Sequence, residues 1–307
     1  MIGNTFFFNW EVDLMVALQS IANPLMVAIS KVFSVLGQQE VLVGIVAVYY
    51  LGINKKIGLR IGLTAIVGTV FNTMVKNIFL RKRPYFDHEQ IKCLAAVDPE
   101  YDIYDIKGQG FSFPSAHSTN STIIPGMIYA CTKKKIALIL TIIIGLGVGI
   151  SRALVGCHYP TDILFGWLQA IIMLLTFPIL FEKIEKKYLY PIFIIFSSIG
   201  LFYCTSNDYF SAYGIVYGLI LCNIFDEKVT KFENTKNIIR IIARIAFSGV
   251  VFLLLNTVLK MPFTTAFLES GTTLAGIVRT IRYAISSFAG FGICPLIYKY
   301  NILKFKD

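Results

Sequence analysis

Only three histidines occur among the 307 residues of this chain, and only 15% of its residues carry charge, against 56% that are hydrophobic. So little charge is incompatible with a soluble globule here, because several apolar runs approach or exceed the roughly 20 residues that cross a bilayer as a helix. The chain reads as a polytopic membrane protein. In hydrocarbon every backbone N–H and C=O must be paired, which restricts spanning elements to helices or a closed barrel. Runs such as IALILTIIIGLGVGI lack the alternation of barrel strands, so the barrel is excluded and the fold class is all-α, a membrane helix bundle. The six cysteines, at 93, 131, 157, 204, 222 and 294, include no CxxC pair, which removes the usual basis for a cysteine metal site or a disulfide framework. A cleavable leader is not expected, since Met1 to Trp10 lacks a basic start and no small-residue cleavage site follows.

What charge there is has a pattern. The formal net charge is +10, yet the Lys and Arg residues cluster in short connections between apolar runs, which marks orientation in a bilayer rather than a nucleic-acid partner. Helices are expected at 12–36, 39–54, 57–80, 116–132, 136–154 and 160–182. After the EKIEKK break at 182–187, further ones are expected at 188–205, 209–225, 238–259 and 281–298. This divides the chain into a six-helix core over 1–185 and an extension of about four helices over 186–307, with no sequence repeat between them. In the first helix Gln19, Asn23, Ser30 and Ser34 fall within about 60° of one another at 100° per residue. That stripe suits an interfacial helix or a spanning one turned toward its bundle.

Three groups of polar residues do not fit solvated loops. Lys76 lies in the last turns of the 57–80 helix, and Arg83 follows on the same face about 10 Å further along, with Pro84 disfavouring helical geometry at Arg83. Alone, these residues also suit a juxtamembrane anchor, with Lys76 snorkelling and RKR at 81–83 among headgroups. The second group is FPSAHST at 113–119. With Pro114 as a first helical residue, Ser115, the Ala116 amide and His117 occupy a first turn, where free N–H groups make a ready anion site; an ordinary helix start has the same look. The third is SRALVGCHYPTD at 151–162. It sets Arg152 six positions before His158, with Asp162 in the first turn of the next helix. A carboxylate on one imidazole nitrogen fixes the tautomer and leaves the other nitrogen free. A purely structural His–Asp cap would leave Arg152 near the bilayer without an acidic partner in the motif, an expensive arrangement unless an anion arrives.

Together the groups read Lys, six residues, Arg-Pro; then Pro-Ser-Ala-His; then Ser-Arg, five residues, His, three residues, Asp. This constellation resembles the three signature motifs of the type 2 phosphatidic acid phosphatase superfamily, which also includes glucose-6-phosphatases and vanadium haloperoxidases. The resemblance covers roughly residues 10–182, with Ala116 standing where the second motif usually has glycine. It implies that His158 is a nucleophile forming a phosphohistidine, that Asp162 orients it, and that His117 protonates the leaving oxygen and then activates water. It also implies that Lys76, Arg83, Arg152, Ser115 and the Ala116 amide bind the phosphoryl oxygens. The residue types suit those roles: preorganised cations and amides stabilise the charge that phosphoryl transfer spreads over equatorial oxygens, and arginine offers a planar fork where lysine offers a point charge. No carboxylate cluster suggests a metal site, and no cofactor is expected.

All three motifs fall at one end of the expected bundle. The other end carries Lys55, Lys56 and Arg60, then Lys133, Lys134 and Lys135, then Lys183, Lys186 and Lys187, so the positive-inside bias makes that end cytoplasmic and the motif end extracytoplasmic. The basic YKYNILKFKD at 298–307 agrees with a cytoplasmic terminus. The expected substrate is a lipid phosphate that stays in the bilayer, of the undecaprenyl diphosphate, phosphatidic acid or phosphatidylglycerol phosphate type. Two alternatives remain: a soluble sugar phosphate, as for glucose-6-phosphatase, and a transporter that binds phosphate without cleaving it. The second draws on 186–307, where Glu269, Arg279 and Arg282 lie in or beside apolar sequence. The sequence does not choose an oligomeric state.

Overall fold

The structure is a computed structural model that describes residues 3–299. Helices account for every element of regular structure among them, apart from one isolated parallel bridge between Asn4 and Arg81. In chain order they are α1 (Asn9–Ser20), α2 (Pro24–Leu36), α3 (Gln39–Val48), α4 (Lys55–Phe79), the single turns α5 (Pro84–Asp87) and α6 (Ile106–Gln109), α7 (Ala116–Thr132), α8 (Lys135–Leu154) and α9 (Pro160–Lys183). The extension holds α10 (Lys186–Ser198), α11 (Asn207–Phe225), α12 (Ile238–Val258), the short α13 (Thr265–Leu268), α14 (Thr273–Phe288) and α15 (Pro295–Lys299). Six helical stretches among the described residues are long and apolar enough to cross a membrane, or seven if the bent pair α1–α2 counts as one. The protein is therefore an all-α, multi-pass membrane protein.

The first expected helix, 12–36, is two. Asn23 caps α2 by accepting a hydrogen bond from the Met26 amide at 2.9 Å, Pro24 occupies the first helical position, and the axes of α1 and α2 meet at 120°. Proline at that position is preorganised to begin a helix and cannot continue one from behind. The polar stripe is accordingly divided: Ser30 and Ser34 are buried on α2, while Gln19 on α1 donates to the Lys92 and Leu154 carbonyls at 2.8 and 3.0 Å. The helix expected at 281–298 begins eight residues earlier, because Thr272 caps it through the Ala275 amide at 3.3 Å. Of the basic terminal stretch, residues 300–307 lie outside the described residues.

By contact the chain groups into two compact units, one of the chain up to Leu42 with Met74–Thr176, the other of Val43–Thr73 with the chain from Phe177 on. In the first, α7 and α8 pack along their lengths, and Trp167 on α9 donates to the Gly145 carbonyl at 3.1 Å. In the second, α11 and α14 form the main pair. A methyl at Gly214 would stand 2.4 Å from the Thr280 carbonyl oxygen, so only glycine permits the two backbones to approach this closely.

Candidate active site

The charged residues of all three motifs belong to the first unit, and each is delivered by a helix end. Near the close of α4, the Lys76 ammonium donates to the Phe111 and Ser112 carbonyls at 2.7 and 3.3 Å, drawing the 111–112 segment over the site. Beyond Phe79 the chain turns through Leu80 at a φ of 51° and sends Arg83 inward, where it is 4% exposed. Its Nε donates to the Gln109 carbonyl at 2.8 Å and its Nη1 to the Cys157 carbonyl at 2.9 Å, and Nη1 stands 3.3 Å from His158 Nε2. Gln109 in turn organises the preceding loop, accepting from the Val97 amide at 2.9 Å and donating to the Asp98 carbonyl at 2.7 Å.

At the second motif, Ser115 rather than Pro114 sets the helix start. Ser115 is the N-cap of α7, its hydroxyl oxygen accepting from the Ser118 amide at 3.3 Å and the Ser118 hydroxyl at 3.0 Å. Ala116 is therefore the first helical residue, an ordinary conformation for alanine, and its amide is among those that a helix start leaves free. The Ser115 amide donates to the Asp162 main-chain carbonyl at 3.0 Å, tying the second motif to the third. His117 has the cations Arg152, Arg83 and Lys76 and the second imidazole, His158, as its neighbours.

The third motif closes the site. Arg152, in the last turn of α8 and 3% exposed, donates through Nη1 to Ser34 Oγ on α2 at 3.1 Å, while its Nε and Nη2 are buried without a hydrogen-bond partner. Gly156, at a φ of +86°, turns the chain back. Both the Cys157 and His158 amides then donate to the Arg152 carbonyl, at 3.1 and 3.3 Å. His158 is 2% exposed. Its Nδ1 lies 3.4 Å from Asp162 Oδ2, within ion-pair reach but off hydrogen-bond alignment, since that oxygen accepts from the Tyr159 amide at 2.8 Å. Burial first, then Arg83, Lys76 and Arg152, hold the His158 pKa well below the ordinary histidine range. The imidazole is consequently neutral near pH 7, with Asp162 on one nitrogen and the other facing the cations. Burial likewise lowers the Arg83 guanidinium from its usual value.

Two residues at this site were invisible to motif reading. Arg81, 1% exposed, is clamped between carboxylates: Nη1 donates to Asp162 Oδ1 at 2.6 Å and Nη2 to Glu11 Oε2 at 2.8 Å. Its guanidinium also lies 3.9 Å from the Tyr159 ring centroid and 4.6 Å from that of Phe6. Glu11, on α1, accepts from the Thr161 amide and hydroxyl at 3.0 and 2.5 Å. The anchor reading of RKR at 81–83 thus fails for both arginines, which are buried. The one available signal for Glu11 was an acid, with Asp13 two residues on, opening an otherwise largely apolar helix. The third histidine, His88, sits outside the cluster with its ring 4.4 Å from that of Phe7. Among the described residues no three His, Cys, Asp or Glu side chains are grouped to hold a metal ion.

In chemical terms the site is an imidazole nitrogen on a neutral ring, a second imidazole, a helix start and three cations, one with two unused donors. The chain is similar to known proteins over much of its length. The model of the PAP2 superfamily matches residues 57–186, and that of the PAP2 superfamily phosphatase transmembrane extension matches 210–304. Undecaprenyl-diphosphatase BcrC of Bacillus subtilis is 33% identical over 122 residues, 39% of this chain and 55% of that enzyme, so little more than half of the relative is spanned. An undecaprenyl-diphosphatase of Sulfolobus acidocaldarius is 28% identical over 52% of this chain and 72% of its own length. The decaprenylphosphoryl-5-phosphoribose phosphatase of Mycobacterium tuberculosis is 30% identical over 51% of this chain and 82% of its own. No solved structure matches.

Proposed function

The chain belongs to the PAP2 superfamily of phosphatases, and from that premise we propose that it hydrolyses a lipid phosphate monoester or diphosphate through a phosphohistidine on His158, without a metal ion. The observation that carries this reading is the state of Arg152. A guanidinium 3% exposed, with Nε and Nη2 buried and unpartnered, is destabilising by a few kcal/mol unless an anion completes it. It stands in the cluster that surrounds the two site histidines. A phosphoryl group supplies the missing acceptor oxygens, and Arg83, Lys76, the Ser115 hydroxyl proton and the Ala116 amide add further contacts to it.

In the proposed sequence, the lone pair on His158 Nε2 attacks phosphorus as the bond to the lipid oxygen breaks. Asp162, whose Oδ2 lies 3.4 Å from Nδ1, stabilises the positive charge that develops on the ring. His117, taking up a proton once the negative charge of the bound phosphate offsets the surrounding cations, gives that proton to the departing oxygen. Now neutral, it takes a proton from water as that water attacks the phosphohistidine, releasing phosphate and restoring His158. The relatives' names, undecaprenyl-diphosphatase and decaprenylphosphoryl-5-phosphoribose phosphatase, point to a polyprenyl or similarly long-chain lipid rather than a sugar phosphate. The reading also puts the site on the extracytoplasmic face.

The test is phosphate release by purified protein from a panel of polyprenyl diphosphate, phosphatidic acid and glucose phosphate, with EDTA present throughout. Release from the lipids and not the sugar is expected, falling by about three orders of magnitude or more in His158→Ala. An acid-labile phosphoryl adduct should be trapped on the wild type by rapid quench. Undiminished release by the variant would sink the proposal.

A further inference from the structure

The extension contains polar groups that the catalytic site does not use. In α14, Arg279 and Arg282 stand six and nine residues after Thr273, roughly 9 and 14 Å along the axis at 1.5 Å per residue. The helix belongs to a span running to Ile297, so both arginines lie within a membrane-crossing segment. With Ser286 they recur at i, i+3 and i+7, which is one helical face. Arg282 is 6% exposed and Ser286 fully buried. Arg279 Nε, Arg282 Nε and Ser286 Oγ are all buried without a hydrogen-bond partner. Among the described residues neither arginine forms an ion pair with a carboxylate.

Two structural explanations fall short. Arg282 Nη2 donates to the Asn256 carbonyl and side-chain oxygens at 3.1 and 2.9 Å, fastening the last turn of α12. That accounts for one nitrogen of Arg282 and for nothing on Arg279 or Ser286. Snorkelling would carry the tip of a guanidinium out to water, and the half-buried Arg279 can do so with its Nη groups, but that leaves its buried Nε without a partner. Intramembrane cations without an acid are rare and mark a ligand or a path. Three unused donors along one face, backed by two positive charges, ask for an anion with several acceptor oxygens, and phosphate fits the guanidinium fork.

We propose that Arg279 and Arg282, with Ser286 beside them, form a second anion site that binds the phosphate of an anionic phospholipid headgroup. The source is a lipid because the neighbouring surface suits acyl chains. Ile285, about 60° round α14 from Arg282 at 100° per residue, is exposed, and so are Leu253, Leu254 and Val258, which flank Asn256 on α12. The site binds without hydrolysing, since all three histidines of the chain, at 88, 117 and 158, belong to the other unit. It is independent of the catalytic reading and stands if that reading fails.

The test is native mass spectrometry of the full-length protein released from nanodiscs of phosphatidylcholine containing a minor fraction of phosphatidylglycerol. The wild type is expected to retain phosphatidylglycerol, and Arg279→Gln/Arg282→Gln to retain about tenfold less, the factor for losing one charge-assisted contact. Arg152→Gln should retain as much as the wild type, which separates this site from the catalytic one. The double variant should also keep the elution volume and thermal midpoint of the wild type in detergent, showing that it folds. Should it not fold, Arg279→Gln alone leaves the Asn256 contact intact and is read instead, again with a loss expected. Equal retention by wild type and variant would overturn the proposal, as would equal retention of diacylglycerol, which has the tails and no phosphate. Displacement of the lipid by millimolar inorganic phosphate would overturn the lipid as its source.

Discussion

His158 presents its two nitrogens to opposite fields, a carboxylate at Nδ1 and a guanidinium at Nε2. The consequence is a pH dependence whose sign follows from the cause. Burial and the three cations disfavour the imidazolium, so the folded pKa lies below its ordinary value. The neutral ring contributes stability that is present above the ordinary histidine range and is lost as pH falls through it, because the unfolded chain takes up the proton first. For the same reason the acid limb of kcat/KM should lie below the usual histidine pKa of about 6.5. Arg83→Gln removes the nearest cation and should move that limb upward in the residual activity, measured on the same substrate as the wild type; an unmoved limb contradicts this account. A second residue-scale expectation concerns Arg81, which neutralises two buried carboxylates. Arg81→Met leaves both unpaired and should be destabilising by about 3–5 kcal/mol, read as a lower thermal midpoint in detergent. Adding Glu11→Gln should restore part of the midpoint but not kcat, because Asp162 stays unclamped. Full recovery of both would reduce the clamp to a purely structural role. The three motifs were legible as polar groups that do not fit solvated loops, and the structure brings their charged side chains into one cluster. Arg81 and Glu11 were not legible, because their partnership spans 70 positions and no local pattern records it.

At the scale of elements, the turn between α8 and α9 is where sequence dictates geometry most tightly. Gly156 has a φ of +86°, and a methyl on it would lie 2.3 Å from the Lys92 carbonyl oxygen. The approach is held by a second bond, from the Leu94 amide to the Val155 carbonyl at 3.0 Å. Gly156→Ala thus meets both a left-handed backbone, costing about 1–2 kcal/mol, and a collision with main chain. It should lower the thermal midpoint and phosphate release together, since displacing this turn by about 1 Å misaligns His158; an alanine variant with wild-type activity would show that the turn is not under this constraint. Spanning helices were legible in the sequence because apolar length alone announces them: α8 and α9 differ from expectation by one residue at one end. The shorter and more polar α7 falls at 116–132 as expected. The break at 21–23 was not legible, although Asn23 and Pro24 are a cap and a first residue, because an unbroken apolar run outweighed two local signals. The start of α14 was missed for the opposite reason, since Arg279 and Arg282 depress local hydropathy within a helix that continues through them.

At the scale of the whole molecule, the open question of sidedness turns on which charges are free to act in loops. Motif residues and loop lysines occupy opposite ends of the same helices. In α4, Lys55, Lys56 and Arg60 open a helix that Lys76 nearly closes; Lys133, Lys134 and Lys135 precede an α8 that ends in Arg152; and α9 runs from Asp162 to Lys183, with Lys186 and Lys187 beyond. The motif end carries cations of its own, which weakened the inference from sequence. Burial changes that weighting. Arg81, Arg83 and Arg152 are 1%, 4% and 3% exposed, the first two tied to carboxylates or carbonyls and the third to the Ser34 hydroxyl, so they are withdrawn from the loops that orient a chain, and the solvent-facing excess lies at the other end. Lys134 and Asp102 are both exposed and lie in connections at opposite ends of these helices. In intact cells a membrane-impermeant maleimide should therefore label Asp102→Cys above the level of the parent protein, and Lys134→Cys only after permeabilisation. The reverse pattern would turn the site toward the cytoplasm and require its lipid phosphate to be presented from the inner leaflet.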